Sequence, residues 1–195
     1  MNPELDRYGL WEGINEVIVT TMSPDGRSNA APIGIIRRNG KLTVRVYSGS
    51  HTYTNIIGTG LLAANMVYDP ALFVRCALSD VSEEVFEFIT TDDARNFPVI
   101  SDCCAWMLFN VEHISGGGNV LVVELKPITG MIRYQEIRPV NRAFNAIIEV
   151  VILATRYKVF KMEKYLIEIE AYKYIIHKCG GSIEKKAYEL VFRLL

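Results

Sequence analysis

A turn rich in hydroxyl groups is the part of the sequence best suited to binding a ligand. It follows a predicted strand that ends at Tyr47 and precedes a short helical pattern, and it consists of Ser48, Gly49, Ser50, His51 and Thr52. The first turn of a helix offers free backbone N–H groups and the positive end of the helix dipole. Serine and threonine hydroxyls add donors, and glycine lets the main chain approach a ligand closely. The turn therefore predicts an anion site, and a phosphate bound there would need no lysine.

The same residues are also typical of an ordinary helix start. Serine and threonine are common N-cap residues, so Ser50 or Thr52 alone does not establish a ligand site. The sequence contains neither GxxxxGK[ST] nor GxGxxG, so it gives no support for a P-loop or a dinucleotide-binding fold. From the residues alone, a phosphate site and a plain helix cap both stay open.

A second unusual segment is Asn29-Ala30-Ala31-Pro32, which lies within a predicted strand. Proline lacks the N–H that a central strand would donate, so this segment is expected at a sheet edge or a bulge. The small side chains leave a flat, thinly covered backbone. Such a surface could accept a flat ring, and an edge that binds nothing is the alternative.

The remaining sequence offers little acid–base or nucleophilic chemistry. It has no GxSxG and no HExxH, and His113 at a predicted strand end is more typical of a core or surface histidine than of a catalytic one. A surface for a flat ring and a site for a phosphate, without an acid–base pair, favour a cofactor that brings its own reactivity.

Composition limits the possible classes of protein. The 195 residues are 50% hydrophobic and 22% charged, which predicts a full core rather than disorder. A net charge of −1 gives no electrostatic basis for binding nucleic acid or an anionic membrane. No apolar run is long enough for a membrane span. The four cysteines form no CxxC pair, so we expect reduced thiols in a cytoplasmic protein rather than a zinc site.

The hydrophobic pattern predicts a β-rich domain at residues 1–137, followed by a three-helix subdomain at 138–195. Three strands at 14–22, 28–36 and 42–47 are joined by the turns Ser23-Pro24-Asp25-Gly26 and Asn39-Gly40. Further strands are predicted at 61–67, 85–89, 105–114, 120–125 and 128–134, with 120–125 buried on both faces. Residues 69–79 are predicted as loop and short helix, and 90–102 as irregular. Short strands in a meander favour a barrel over a doubly wound sheet.

Several motifs, in this order and spacing, resemble the split-barrel flavin-binding proteins. They are Thr20-Thr21-Met22, Asp25-Gly26, Asn29 to Gly34, Ser50 to Ile56, Thr59-Gly60 and Asn65. More narrowly, the chain is similar to a group of uncharacterised archaeal flavoproteins with a helical C-terminal extension. The extension's matching residues are Arg138 to Ala143, Ile148-Glu149 and Thr155-Arg156.

The resemblance implies a β-rich α+β fold, namely a six-stranded split β-barrel of the FMN-binding type followed by C-terminal helices. It also implies non-covalent FMN binding in a groove at or near the interface of a homodimer. By this analogy the phosphate and ribityl chain are held by Ser48, Ser50, His51, Thr52 and Asn55. The isoalloxazine is bordered by the backbone around Asn29, Ala30 and Ala31, and Trp106 closes the ring pocket.

One feature departs from the flavin-binding barrels, which often offer an arginine or lysine to the phosphate. The turn itself contains neither residue, and Arg37, Arg45 and Arg75 are the candidates to reach it from neighbouring elements.

Three functions follow as hypotheses. The first is a small FMN-dependent oxidoreductase of the flavin-reductase type, reduced by NAD(P)H or another reductant. The alternative is a non-catalytic flavin carrier or sensor, and the third is a structural module that binds no flavin.

Overall fold

The structure is a computed structural model, and it describes residues 3–92, 94 and 96–195. The chain divides into two compact units. The barrel unit comprises the chain up to Val67 and Val81–Glu136, and the helical unit comprises Tyr68–Asp80 and Ile137–Leu195. The predicted boundary at 137/138 assigns residues 68–80 and Ile137 to the β-rich domain, whereas this division groups them with the C-terminal helices.

Six antiparallel strands close into a barrel, which confirms the predicted fold class. The strand order is β1-β2-β3-β8-β7-β4, and the ranges are β1 Gly13–Met22, β2 Ser28–Arg38, β3 Lys41–Tyr47, β4 Leu61–Met66, β7 Ala105–Gly117 and β8 Val120–Ile132. Alternate residues of each strand point into the barrel, as the period of two requires. The buried interior includes Val17, Val19, Val44, Val46, Leu62, Ala64, Met107 and Phe109.

A helix lies at each end of the barrel. Helix α1, Pro3–Arg7, precedes β1, and helix α2, His51–Thr59, connects β3 to β4. Leu5 and Leu10 from the α1 end join the same hydrophobic core as Ile56 of α2. Burial of these apolar side chains fixes both helices against the strands.

Strands β2 and β3 pair only near their shared hairpin. The register joins Ile36–Arg38 to Lys41–Thr43, whereas β1 pairs with β2 continuously from Gly13↔Arg37 to Met22↔Ser28. Residues 28–35 of β2 therefore form a sheet edge. The prediction that the Asn29–Pro32 segment lies at an edge is confirmed, and the continuous register shows that no bulge is needed.

A two-stranded sheet, β5 Phe86–Ile89 and β6 Phe97–Ile100, covers the outer face of β1 and β4. The Thr20 hydroxyl donates to the carbonyl of Pro98 at 2.7 Å, and Asn65 accepts from the Ile100 amide at 2.9 Å. The expectation that 90–102 is irregular is therefore wrong for 97–100. A four-residue strand containing a proline gives too short an alternation to recognise.

Strand β8 also differs from its prediction. It is one strand through Pro127 and Gly130 rather than two, with an irregular register opposite Leu108 and Phe109. Its first half alternates, because Val123 and Leu125 are buried while their neighbours are half-exposed. The prediction that residues 120–125 are buried on both faces is therefore wrong.

The helical unit contains the three helices predicted after residue 138 and a short helix where residues 69–79 were predicted as loop and short helix. The predicted ones are α4 Arg142–Phe160, α5 Lys164–Cys179 and α6 Ser182–Leu194, and α3 Pro70–Leu78 packs with them. Phe73 of α3 meets Phe144 edge-on at a centroid distance of 6.0 Å. Asn141 caps α4, accepting from the Ala143 amide at 2.9 Å, as predicted. Among the described helices, none has the length and apolar character needed to cross a membrane.

Candidate functional site

The hydroxyl-rich turn leads from β3 directly into α2. The Ser48 amide donates to the carbonyl of Asn119 at 3.0 Å, and the Ser50 amide donates to the carbonyl of Tyr47 at 3.3 Å. Between them Gly49 has φ +84°, which an L side chain rarely adopts. The turn is thus tight, and it places the first residues of α2 beside the end of β3.

Ser50 is the N-cap of α2, so the capping interpretation of this residue is confirmed. Its hydroxyl accepts from the Tyr53 amide at 3.1 Å and donates to the Tyr47 carbonyl at 2.8 Å. Within the described chain, the amides of His51 and Thr52 have no acceptor. The first turn of α2 contains no acidic residue. Its positive end is therefore open to an anion from outside the chain.

Side-chain hydrogen bonds join the two segments that the sequence singled out. The amide nitrogen of Asn29 donates to the hydroxyl oxygens of Thr52 at 3.1 Å and of Thr21 at 3.3 Å. The amide nitrogen of Asn55 donates to the same Thr21 oxygen at 3.0 Å. Thr21, Thr52 and Asn55 are buried. We call Thr21, Asn29, Thr52 and Asn55 the amide–hydroxyl cluster. Their hydrogen bonds fix the start of α2 against the end of β1 and the beginning of β2.

Thr21 is the member of this cluster that the site prediction did not include. In the sequence it continues the apolar strand β1, where a threonine is an ordinary β-former. Its position opposite Asn29 becomes visible only through the β1–β2 register. The available signals were its position at a strand end next to a predicted turn and its place in the Thr20-Thr21-Met22 motif of the resemblance.

The predicted binding residues fall into two groups. Ser48 and His51 are exposed, and Ser50 is half-buried at the helix cap. Thr52 and Asn55 are buried and already bonded within the chain. The residues of the first group and the open amides can contact a ligand directly. Thr52 and Asn55 instead hold the start of α2 in position.

The edge of β2 offers backbone rather than one side-chain surface. Ala30 lies opposite Thr20 on the outer face of the barrel, and Ala31 lies opposite Val19 on the inner face. The two alanines therefore point to opposite sides of the sheet. What they share is the unpaired backbone edge beside Asn29.

Trp106 does not join this group. It lies on β7, which follows β2, β1 and β4 in the order around the barrel, and its cross-strand neighbours are Asn65 and Met131. Three strand spacings separate it from β2 by about 14 Å across the sheet. Its indole N–H is buried and makes no hydrogen bond to the described residues.

The three candidate arginines occupy different regions. Arg37 is 2% exposed, and its Nη1 bonds to Asp6 and to the carbonyl of Leu10. Eight residues of β2 separate Arg37 from Asn29, a span of about 27 Å along the strand. Arg75 belongs to the helical unit and pairs with Asp69 at 3.4 Å. Arg45 is exposed on β3, two residues before the turn begins at Tyr47.

The cysteines provide no reactive thiolate near this turn. All four are free thiols. Burial raises the pKa of Cys103 to about 11 and that of Cys76 to about 12, so both stay protonated at neutral pH. The described residues contain no group of three or more His, Cys, Asp or Glu side chains that could hold a metal ion.

Two family models cover most of the chain. One, described as the N-terminal domain of a protein of unknown function, DUF447, matches residues 15–134, and the other, described as protein of unknown function DUF447, matches residues 141–193. An uncharacterized protein of Methanocaldococcus jannaschii is 26% identical over 190 residues, which cover 93% of this chain and 98% of that protein.

Solved structures agree with the family and with the split-barrel fold. A crystal structure of an FMN-bound protein from Methanosarcina mazei is 39% identical, with a TM-score of 0.91 over 98% of this chain and 100% of that one. Flavoredoxin from Methanosarcina acetivorans is 18% identical, with a TM-score of 0.52 over 64% of this chain and 72% of that one. The latter similarity concerns the fold alone. On the family models and the full-length match, the chain belongs to the DUF447 family, a group with archaeal members built on a split β-barrel with a C-terminal helical extension.

Proposed function

We propose that this protein binds FMN non-covalently, with the phosphate at the first turn of α2 and the ring along the open edge of β2. The observation that carries the proposal is the hydrogen bond of 3.1 Å between Asn29 and Thr52, which holds the two segments together. A single flavin can reach both only if they are neighbours. The FMN-bound relative from Methanosarcina mazei, which matches nearly the whole chain, supports the same cofactor.

The residues at the turn fit a phosphate. The open amides of His51 and Thr52 and the exposed hydroxyl of Ser48 are donors, and no acidic residue of the first turn opposes a bound anion. Backbone donors at a helix start bind phosphate oxygens without a lysine. Ser50 contributes by capping the helix, and Thr52 and Asn55 contribute by fixing its position.

The edge of β2 fits the flat ring. Small side chains at Ala30 and Ala31 keep the edge thinly covered, and the residues 28–35 do not pair with β3. Backbone N–H and C=O groups along such an edge are free to orient a ring with donors and acceptors at its rim. Bound FMN would supply the electron-transfer chemistry, which the side chains of this region do not provide on their own.

We further propose that the protein is a small oxidoreductase of the flavin-reductase type, acting in the cytoplasm as a homodimer and reduced by NAD(P)H or another reductant. Between residues 47 and 55 the titratable side chains are Tyr47, His51 and Tyr53, and this stretch contains no Asp, Glu, Lys, Arg or Cys. This scarcity of acid–base groups also favours a second candidate, a flavin carrier or sensor. In either case the chain binds and orients the ring, and it protects the ring from water.

Two measurements separate these functions. Purified protein titrated with FMN should quench flavin fluorescence at a stoichiometry of one flavin per chain. Under anaerobic conditions, NADH or NADPH should then bleach the visible absorption of the bound flavin much faster than that of free FMN. If FMN binds but neither nicotinamide accelerates its reduction, the result supports the carrier or sensor function. If the protein does not bind added FMN, the flavin proposal is refuted. Sedimentation of the FMN-loaded protein tests the homodimer.

A further inference from the structure

The barrel unit is acidic, although its proposed ligand is an anion. Its two segments, the chain up to residue 67 and residues 81–136, contain nine Lys or Arg and fourteen Asp or Glu in the sequence. A phosphate monoester adds roughly −1.5 to −2 charges at neutral pH. The unit as a whole therefore repels FMN more than uncharged riboflavin. A preference for FMN has to come from groups close to the phosphate, namely the open amides of α2 and any basic side chain within reach of them.

Most basic residues in this unit are already neutralised. Within the described chain, five of them form ion pairs with carboxylates: Arg27, Arg37, Lys41, Lys126 and Arg133. Three other described residues form no ion pair, namely Arg7, Arg38 and Arg45, and the ninth, Arg95, lies outside the described residues. Arg7 ends α1, and Arg38 ends β2 at the hairpin on the α1 side of the barrel. Among the basic residues that the structure describes in this unit, Arg45 alone combines an uncompensated charge with a position near α2.

Arg45 is also close enough to act at the turn. Two strand residues separate it from Tyr47 by about 7 Å. The bond from the Ser50 amide to the Tyr47 carbonyl closes a tight turn, which keeps the N-cap of α2 within about 7 Å of Tyr47. Arg45 and Tyr47 share one face of β3, opposite the buried Val44 and Val46. The exposed guanidinium can therefore extend along the rim toward the open amides of His51 and Thr52.

We propose that Arg45 makes the site selective for phosphorylated flavin over riboflavin. The inference rests on the proposed FMN site and adds to it the residue that supplies the charge. A guanidinium matches two phosphate oxygens at once and stays protonated at every accessible pH. The backbone donors alone would accept the phosphate, and Arg45 offsets the repulsion from the acidic unit.

The test compares two flavins that differ only in the phosphate. FMN and riboflavin are titrated by fluorescence quenching into the wild-type protein, Arg45→Gln and the control Arg38→Gln, which removes another exposed arginine, at the α1 side. We expect Arg45→Gln to lower the affinity for FMN about tenfold or more and to leave the affinity for riboflavin unchanged. Arg38→Gln should change neither affinity. Arg45→Lys should recover part of the loss, because it restores the charge without the planar fork.

Salt dependence gives an independent readout. Raising NaCl should weaken FMN binding to the wild-type protein and to Arg38→Gln, whereas riboflavin binding and FMN binding to Arg45→Gln should respond much less. Equal losses for both flavins in Arg45→Gln, or no loss for FMN, would overturn the assignment of Arg45. If the wild-type protein binds neither flavin, the proposed function itself fails, so the two failures are distinct.

Discussion

The two ends of the barrel are both closed by a helix, yet their polar groups are arranged in opposite ways. At the α1 end, the buried guanidinium of Arg37 is held by Asp6 and by the carbonyl of Leu10. At the α2 end, the amide–hydroxyl cluster satisfies its own buried groups, but the amides of His51 and Thr52 stay open above it. The buried charge at the first end is paired within the chain, whereas the open amides at the second end have no acceptor in the described chain.

This difference distinguishes polar residues that maintain the fold from those available for function. A buried charge requires a partner within the chain, because an unpaired ion in the interior costs several kcal/mol, about 3–5 when a pair is broken. Exposed amides at a helix start carry no such requirement, since water can bind them in the free protein. We therefore expect substitutions at the α1 end to affect stability and those at the α2 end to affect flavin binding.

The largest expected effect lies at the α1 end. Arg37→Met should lower the free energy of unfolding by about 3 kcal/mol, because it leaves Asp6 without its cation and the Leu10 carbonyl without its donor. Urea denaturation of the free protein measures this loss. At temperatures where the variant is folded, its FMN affinity should match that of the wild type, since Arg37 lies far from the turn. Weakened FMN binding by folded Arg37→Met would contradict the division between the two ends.

The next effect tests the turn itself. Gly49→Ala places a side chain at φ +84°, where an L residue costs about 1–2 kcal/mol. The added methyl group meets no heavy atom within 4 Å, so the cost is conformational rather than steric. We expect a modest loss of stability together with weaker FMN binding, measured by thermal unfolding and fluorescence titration. Gly40→Ala, at φ +78° in the β2–β3 hairpin, is the matched control and should lose stability without losing FMN affinity.

The amide–hydroxyl cluster should show coupling between its members. Asn29→Ala and Thr52→Val each remove one side of a 3.1 Å hydrogen bond, so a double-mutant cycle in unfolding free energy should give a coupling of about 1 kcal/mol. Both single variants should also weaken FMN binding, because they release the start of α2 from β2. Ile57→Ala, at an exposed apolar side chain of the same helix, serves as the control. Strictly additive losses for Asn29 and Thr52 would mean that the bond does not join the two segments.

The sequence allowed the barrel and the neighbourhood of the site to be predicted for a physical reason. Alternating β-branched residues and turns such as Asn39-Gly40 determine local backbone geometry, which can be predicted from the residues of each segment alone. Pro32 likewise identified an edge, because a missing donor is a property of the residue itself. These features required no knowledge of which strands are neighbours.

What could not be predicted depends on pairing between distant segments. The amide–hydroxyl cluster needs the β1–β2 register to bring Thr21 opposite Asn29, and it needs the turn to place α2 above both. The role of Arg37 was open for the same reason, since Asp6 becomes its partner only in the folded barrel. The sequence pattern divided strand β8 at Pro127, because its continuity depends on pairing with β7. In that pairing Leu108 lies opposite Thr129 and Phe109 opposite Pro127, so that the register skips one residue of β8.

The smallest expected effect comes from the β1–β2 turn, where an exposed ion pair can be compared with the buried one of Arg37. Asp25 accepts from the Ser23 hydroxyl at 2.5 Å and pairs with Arg27 at 2.9 Å, and these contacts, the hydroxyl first, lower the pKa of Asp25 below its usual 3.8. A carboxylate with a lowered pKa stabilises the fold above its unfolded pKa, and the contribution is lost as the pH falls through the folded value. Asp25→Asn should therefore lower the melting temperature slightly at pH 7 and not at pH 2.

Because both partners of the Asp25–Arg27 pair are well exposed, solvent and salt screen it. Added NaCl should reduce the difference in melting temperature between Asp25→Asn and the wild type. The loss of stability in Arg37→Met should persist in salt, because the cation that this substitution removes is buried. A melting-temperature difference for Asp25→Asn that survives both acid and high salt would assign the effect to turn geometry rather than to charge. In that case the exposed pair would offer no electrostatic counterpart to Arg37.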